Sequence, residues 1–213
     1  MTRPLIISDC DEVLMHMVVP FRGWLDALHG IHFEFSQGFE RALRHKDSGD
    51  PVERAQIWAL LSAFFETEMH RQTPIAGAVE AMARLAKRAD IVIVTNIAAE
   101  LGQARADQIH AHGLPYEVIG NGRGGAKGPT VAGLIAQRCP PICFFLDDLS
   151  SNHVSVAQDA PAVWRLQMVG EPEMAPHVQT ARYAHARIDD WAGAEVWIAT
   201  RLDEFDGVMA ATA

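Results

Sequence analysis

The sequence predicts an α/β protein, with a Rossmann-like parallel sheet flanked by helices and a small all-α segment inserted directly after the first strand. Three observations carry this prediction. The chain opens on a short apolar run, Leu5-Ile6-Ile7, that ends in acids. From Pro74 onward, short apolar runs alternate with stretches of helical period, the pattern of a parallel sheet with right-handed crossovers. Between these regions, residues 15–73 show helical patterning and no convincing strand. The expected division is a core of 1–14 and 74–213 and a helical insertion of 15–73.

In chain order, the run at Leu5 reads as a buried strand. Phe21 to His29 reads as a helix stopped near Gly30. Ser36 to Lys46 reads as a helix capped by its serine, with Phe39 and Leu43 at i, i+4. Asp50 is expected to cap a helix from Pro51 to His70, with Ile57, Leu60, Leu61, Phe64 and Phe65 on one stripe. Helices are expected at Ile75 to Arg88, Ala98 to His112, Thr130 to Arg138 and Ser151 to Gln158. Strands are expected at Asp90 to Val94, Tyr116 to Ile119, Ile142 to Leu146 and Ala162 to Met168. A last strand over Tyr183 to Ile188 precedes a closing helix capped by Asp189 or Asp190.

Composition narrows the function. The chain has 213 residues, 49% of them hydrophobic and 21% charged, with a formal net charge of −9. That length suits one sizeable core with a small appended unit. The acidic balance, without a basic run, argues against nucleic acid as a partner. No apolar run reaches the length of a membrane helix, so no membrane partner is expected. Cys10, Cys139 and Cys143 form no CxxC pair and no zinc-like cluster. Cys10 between the two acids and Cys143 in an apolar run read as reduced and packed, which with the lack of a signal-like N-terminus leads to an expected cytoplasmic location.

The chemistry-bearing residues fall at strand ends. Asp9 and Asp11 follow the first strand, Thr95 and Asn96 the second, and Asp147 and Asp148 the third. Lys127 lies in a Gly-rich loop between the last two. Carboxyl ends of parallel strands share one edge of a sheet, so these groups can converge. Acids gathered there repel one another unless a cation joins them, which suits a hard ion such as Mg²⁺. Read alone, Asp9-x-Asp11 also fits a helix N-cap followed by a first-turn acid. Lys127 alone fits a solvated loop lysine. Asn152 fits either a surface residue or a support for metal-bound water, and His16 is a candidate for facing a substrate.

The order of these pieces resembles the haloacid dehalogenase superfamily, in its phosphatase branch. Asp9-Cys10-Asp11-Glu12-Val13 is similar to its first motif, and Ile91 to Thr95 to its second. Lys127 opening a helix is similar to the third, and Phe144-Phe145-Leu146-Asp147-Asp148 to the fourth. The helical insertion falls where that superfamily carries a cap domain of the first type.

The resemblance implies a Mg²⁺-dependent phosphomonoester hydrolase that acts through an aspartyl-phosphate on a small phosphorylated metabolite. Asp9 would be the nucleophile and Asp11 the acid and base. The Thr95 hydroxyl and Asn96 backbone N–H would bind the phosphoryl group, and Lys127 would offset its charge. An Asp9 oxygen, the Asp11 backbone carbonyl and Asp148 would hold Mg²⁺, with Asp147 close by. Asp11 argues against the dehalogenase branch, which as the resemblance implies needs no acid for a halide. A phosphotransferase or mutase, and a catalytically idle binder of a phosphorylated ligand, are the alternative readings.

Overall fold

The computed structural model describes residues 2–37 and 41–211. Six strands form one parallel sheet in the order β5-β4-β1-β6-β7-β8. They are β1 (Leu5–Ser8), β4 (Asp90–Thr95), β5 (Glu117–Gly120), β6 (Cys143–Asp147), β7 (Trp164–Gln167) and β8 (Ala186–Arg187). The register places Ile6 between Ile91 and Phe144. Side chains alternate across a strand, so each strand feeds both faces of the sheet. Ile6, Phe144 and Leu146 pack with Met82 and Leu85 of α3 (Ala78–Leu85) and with Trp191 and Ile198 of α7 (Trp191–Ala211). Leu5, Ile7 and Phe145 face the other way, onto Val131 and Leu134 of α5 (Gly128–Arg138) and Val156 of α6 (Ser150–Asp159). Burial on both faces explains why β1, β4 and β6 are nearly continuous apolar runs. Between β4 and β5 a short 3-10 turn runs into α4 (Gly102–Ala111).

Residues between β1 and α3 build a separate apolar cluster. It joins Val18, Phe21, Trp24 and Leu25 of α1 (Val18–Leu28) to Ile57, Leu60, Phe64 and Phe65 of α2 (Arg54–Thr67). Gly30, with φ +61°, turns the chain out of α1.

This segment departs from the expected all-α insertion. It is mainly helical, but an antiparallel ribbon pairs β2 (Ile31–Phe33) with β3 (Leu43–His45). Ile31, Phe33 and Leu43 sit in the segment's core on a period of two. The expected helix from Ser36 to Lys46 is therefore replaced by β3 at its C-terminal end. Its Phe39 lies outside the described residues. Asp50 caps no helix, because Pro51 bridges to Arg44 and α2 starts three residues later, at Arg54. At the C-terminus, the Asp190 carboxylate accepts the Gly193 N–H (2.8 Å) at the start of α7, as the sequence suggests.

Candidate active site

The strand order brings the candidates together. β1 lies between β4 and β6, so the carboxyl ends of these three strands adjoin at the centre of the sheet.

The turn after β1 is braced on several sides. Cys10 O accepts the N–H groups of Leu14 (2.8 Å) and Met15 (2.9 Å). Glu12 has φ +60°, a left-handed conformation that costs an L side chain about 1 kcal/mol. It is held there by its neighbours. The Glu12 carbonyl accepts the Gly170 N–H (2.7 Å), and its Oε1 accepts the N–H groups of Met17 (2.8 Å) and Val18 (2.6 Å) at the start of α1. Burial pushes the Glu12 carboxyl up to about 7, against those two hydrogen bonds. The Trp191 indole N–H donates to Val13 O (2.8 Å), tying the turn to α7. Glu12 thus anchors the turn that presents Asp9 and Asp11. From the sequence alone it has no role beyond its place in the first motif.

Lys127 is fully buried, not a solvated loop residue. Its Nζ lies 2.8 Å from Asp9 Oδ1 and 2.7 Å from Asp147 Oδ2. Gly128 makes that position possible. A Cβ there would lie 2.5 Å from both Ser155 O and Ser155 Oγ, so only glycine lets the loop close against α6.

Asp9 Oδ1 also accepts the Cys10 N–H (2.6 Å). Burial and the neighbouring carboxylates Asp147 and Asp11 raise the Asp9 carboxyl to about 7, although Lys127 opposes the rise. The two acids after β6 differ sharply. Asp147 is saturated: Lys127 takes Oδ2, the Leu149 N–H takes Oδ1 (2.9 Å), and Asn152 Nδ2 reaches both oxygens (2.9 and 3.0 Å). Asn152 is therefore the residue that orients Asp147. The Asp148 side chain makes no hydrogen bond among the described residues, and burial beside Asp147 and Asp9 raises its carboxyl well above the usual range.

Thr95 ends β4, fully buried, and its Oγ1 has no partner among the described residues. Asn96 accepts a hydrogen bond from Asn121 Nδ2 (2.9 Å), joining the end of β4 to the lysine loop.

Asp11 is engaged by residues the sequence reading did not single out. Arg105 Nη2 lies 3.1 and 3.2 Å from its two oxygens, and Gln72 Nε2 donates to Oδ1 (2.6 Å). Arg105 comes from α4, within the helix expected over Ala98 to His112. It is fully buried, and its Nη1 also donates to Gln72 Oε1 (2.9 Å). His16 does not border the cavity. Its Nδ1 pairs with Glu171 (2.8 Å), in the loop after β7.

A cavity of about 400 Å³ opens over Asp9, Asp11 and Asp148. Its walls come from α1, β2, α2 and the loop after β7. Arg22 of α1 forms a bidentate pair with Glu173 (2.7 and 3.1 Å), fixing that loop against the insertion.

The donor set fits a divalent metal. One oxygen each from Asp9, Asp147 and Asp148 fall within 4.8 Å of one another. These three buried carboxylates share one ammonium group, Lys127, which leaves two uncompensated negative charges when all are ionised. Oxygen donors and that charge suit Mg²⁺.

A parallel α/β sheet with a lysine-bridged carboxylate cluster at its central crevice defines the class of protein. No family model and no curated protein sequence matches the chain. Solved structures do. A haloacid dehalogenase-like hydrolase family protein from Streptococcus pneumoniae superposes with a TM-score of 0.63 at 11% identity, covering 91% of this chain and 97% of that one. A HAD-hydrolase from Bacillus subtilis, solved bound to magnesium, gives 0.60 at 12% identity over 91% and 97%. A Thermotoga maritima protein described as a β-phosphoglucomutase gives 0.54 at 12% identity over 99% and 100%. The chain has the fold of the haloacid dehalogenase superfamily, in line with the resemblance its four motifs carry.

Proposed function

We propose that the protein is a Mg²⁺-dependent phosphomonoester hydrolase that forms an aspartyl-phosphate at Asp9, with residues 15–73 serving as a cap over the site. The observation that supports this most directly is the Lys127 bridge between Asp9 and Asp147, with Asp148 left unengaged beside it. A purely structural ion cluster would pair its acids. This one leaves an excess of buried negative charge at the floor of a cavity.

In the proposed reaction an Asp9 carboxylate oxygen attacks phosphorus in line. The bond to the ester oxygen breaks, and the leaving alkoxide takes a proton from Asp11. Water then attacks the phosphorus of the aspartyl-phosphate while Asp11 takes its proton, releasing phosphate and restoring Asp9. Lys127 and the Cys10 N–H hold Asp9 Oδ1, so the carboxylate is oriented before substrate arrives. The unpartnered Thr95 hydroxyl and the Asn96 N–H would donate to the phosphoryl oxygens. Arg105 and Gln72 orient the Asp11 side chain. Serving as the acid requires Asp11 to turn away from Arg105. Asp9, the Asp11 backbone carbonyl and Asp148 would hold Mg²⁺, with Asp147 fixed beside them by Asn152. When bound, the ion offsets the charge of the carboxylates and of the phosphoryl oxygens.

The substrate in this reading is a small phosphorylated molecule. Three free cysteines, two of them buried, are in keeping with a reducing, cytoplasmic setting. Among the described residues, no helix is long and apolar enough to cross a membrane. The test is acid-quenched digestion after brief exposure to substrate and Mg²⁺. A phosphorylated peptide containing Asp9 is expected, and a phosphate on any other residue would overturn the assignment.

A further inference from the structure

The cavity over the acids has a polarity that a sugar phosphate or a phosphorylated carboxylic acid does not match. Its floor is acidic, formed by Asp9, Asp11, Glu12 and Asp148. Its walls are apolar: Phe33 from β2, Phe35 from the 3-10 turn after it, Leu61 and Phe65 from α2, and Met174 and Val178 from the loop after β7. Phe33 and Phe35 pack edge to face, with ring centroids 5.3 Å apart. At the rim, Trp58 and Leu149 are 43% and 47% exposed, large apolar groups left facing solvent at the cavity mouth.

No lysine or arginine lines this cavity among the described residues. The nearby cations are committed elsewhere. Arg22 lies over the Phe35 ring (4.6 Å) and is clamped by Glu173. Arg105 is sealed against Asp11, and Arg123 pairs with Glu66 at 3.3 Å. With the metal and Lys127 given over to the phosphoryl group in this reading, a second anionic group on the substrate would find no lysine or arginine among the described residues that line the cavity. Sugar hydroxyls would meet few polar wall groups beyond Asn96 and His177.

We infer that the substrate is a phosphate monoester of an apolar alcohol, aliphatic or aromatic, whose leaving group fills the space between the insertion and the loop after β7. This rests on the phosphatase reading and narrows its substrate class. The volume, about 400 Å³, falls within the range of small-molecule sites.

The test uses a homologous series, ethyl, butyl and hexyl phosphate, whose leaving alcohols have closely similar acidity. Glycerol 3-phosphate, glucose 6-phosphate and phosphoglycolate serve as polar comparators. We expect kcat/KM to rise about fourfold per added methylene, as apolar burial dictates, with every polar ester below butyl phosphate. Val178→Lys, which places a cation in the wall, should raise phosphoglycolate relative to hexyl phosphate. Binding of ethyl- and hexylphosphonate, measured by calorimetry, reads the same preference without turnover, and hexylphosphonate should bind more tightly. Asp9-dependent turnover that is flat along the series, or that favours a polar ester, would overturn the inference and leave the phosphatase reading standing. Tighter hexylphosphonate binding with no turnover of any ester would overturn the phosphatase reading instead, and with it the assignment of these ligands as substrates.

Discussion

Arg105, fully buried, forms an ion pair with the partly buried Asp11, with Nη2 3.1 and 3.2 Å from the two carboxylate oxygens. The pair joins residues 94 positions apart, and Gln72 completes it from a third segment. Removing either partner leaves an uncompensated charge at a largely buried position. Arg105→Met should destabilise the protein by about 3 kcal/mol in denaturant unfolding. Arg105→Met combined with Asp11→Asn should be less destabilising than the sum of the two single changes. Strict additivity would show that the two side chains do not act as a unit.

Thr95 offers a separation of stability from chemistry. Among the described residues its buried hydroxyl has no partner, so Thr95→Val removes an unsatisfied group and keeps the shape. The melting temperature should hold or rise. On the proposed mechanism, kcat/KM should fall about a hundredfold through loss of one phosphoryl donor. A variant with lower stability and full activity would assign Thr95 to structure alone.

The two acids after β6 should respond differently to metal. Asp148 has an unengaged carboxylate, whereas Asn152 acts only through Asp147. Asn152→Ala should raise the half-saturating Mg²⁺ concentration about tenfold, as loss of a supporting hydrogen bond does. Asp148→Ala should raise it further. The reverse order in a metal titration would move the ligand role from Asp148 to Asp147.

Gly128 sets the height of Lys127. Gly128→Ala would drive a methyl group into Ser155, so we expect about 1–3 kcal/mol of destabilisation with a loss of activity. Gly133, with open space around it on the same helix, is the control, and Gly133→Ala should be neutral or stabilising. Equal effects at the two positions would contradict the packing argument.

The sheet and its carboxyl edge were legible because β1, β4 and β6 are buried on both faces and read as unbroken apolar runs. Asp9, Thr95 and Asp147 each follow or end such a strand, so the topology alone brings them together, and Lys127 joins them from the start of α5. The ribbon was not legible. Each of its strands is three residues long, too short to distinguish a period of two from a helical one. Arg105 and Gln72 escaped notice for a different reason. Each is a polar residue in a polar stretch, and only the fold shows that Asp11 lies between them. Glu12 was hidden by its place between motif residues, although a non-glycine residue at φ +60° marks a turn that the surroundings must hold.

In the proposed function Asp9 is the nucleophile of a metal-dependent phosphatase. The most direct measurement is p-nitrophenyl phosphate hydrolysis by wild type and Asp9→Asn, each with Mg²⁺ and with EDTA, after circular dichroism confirms that both are folded. Turnover is expected only for wild type with Mg²⁺. Undiminished turnover by Asp9→Asn would remove Asp9 as the nucleophile.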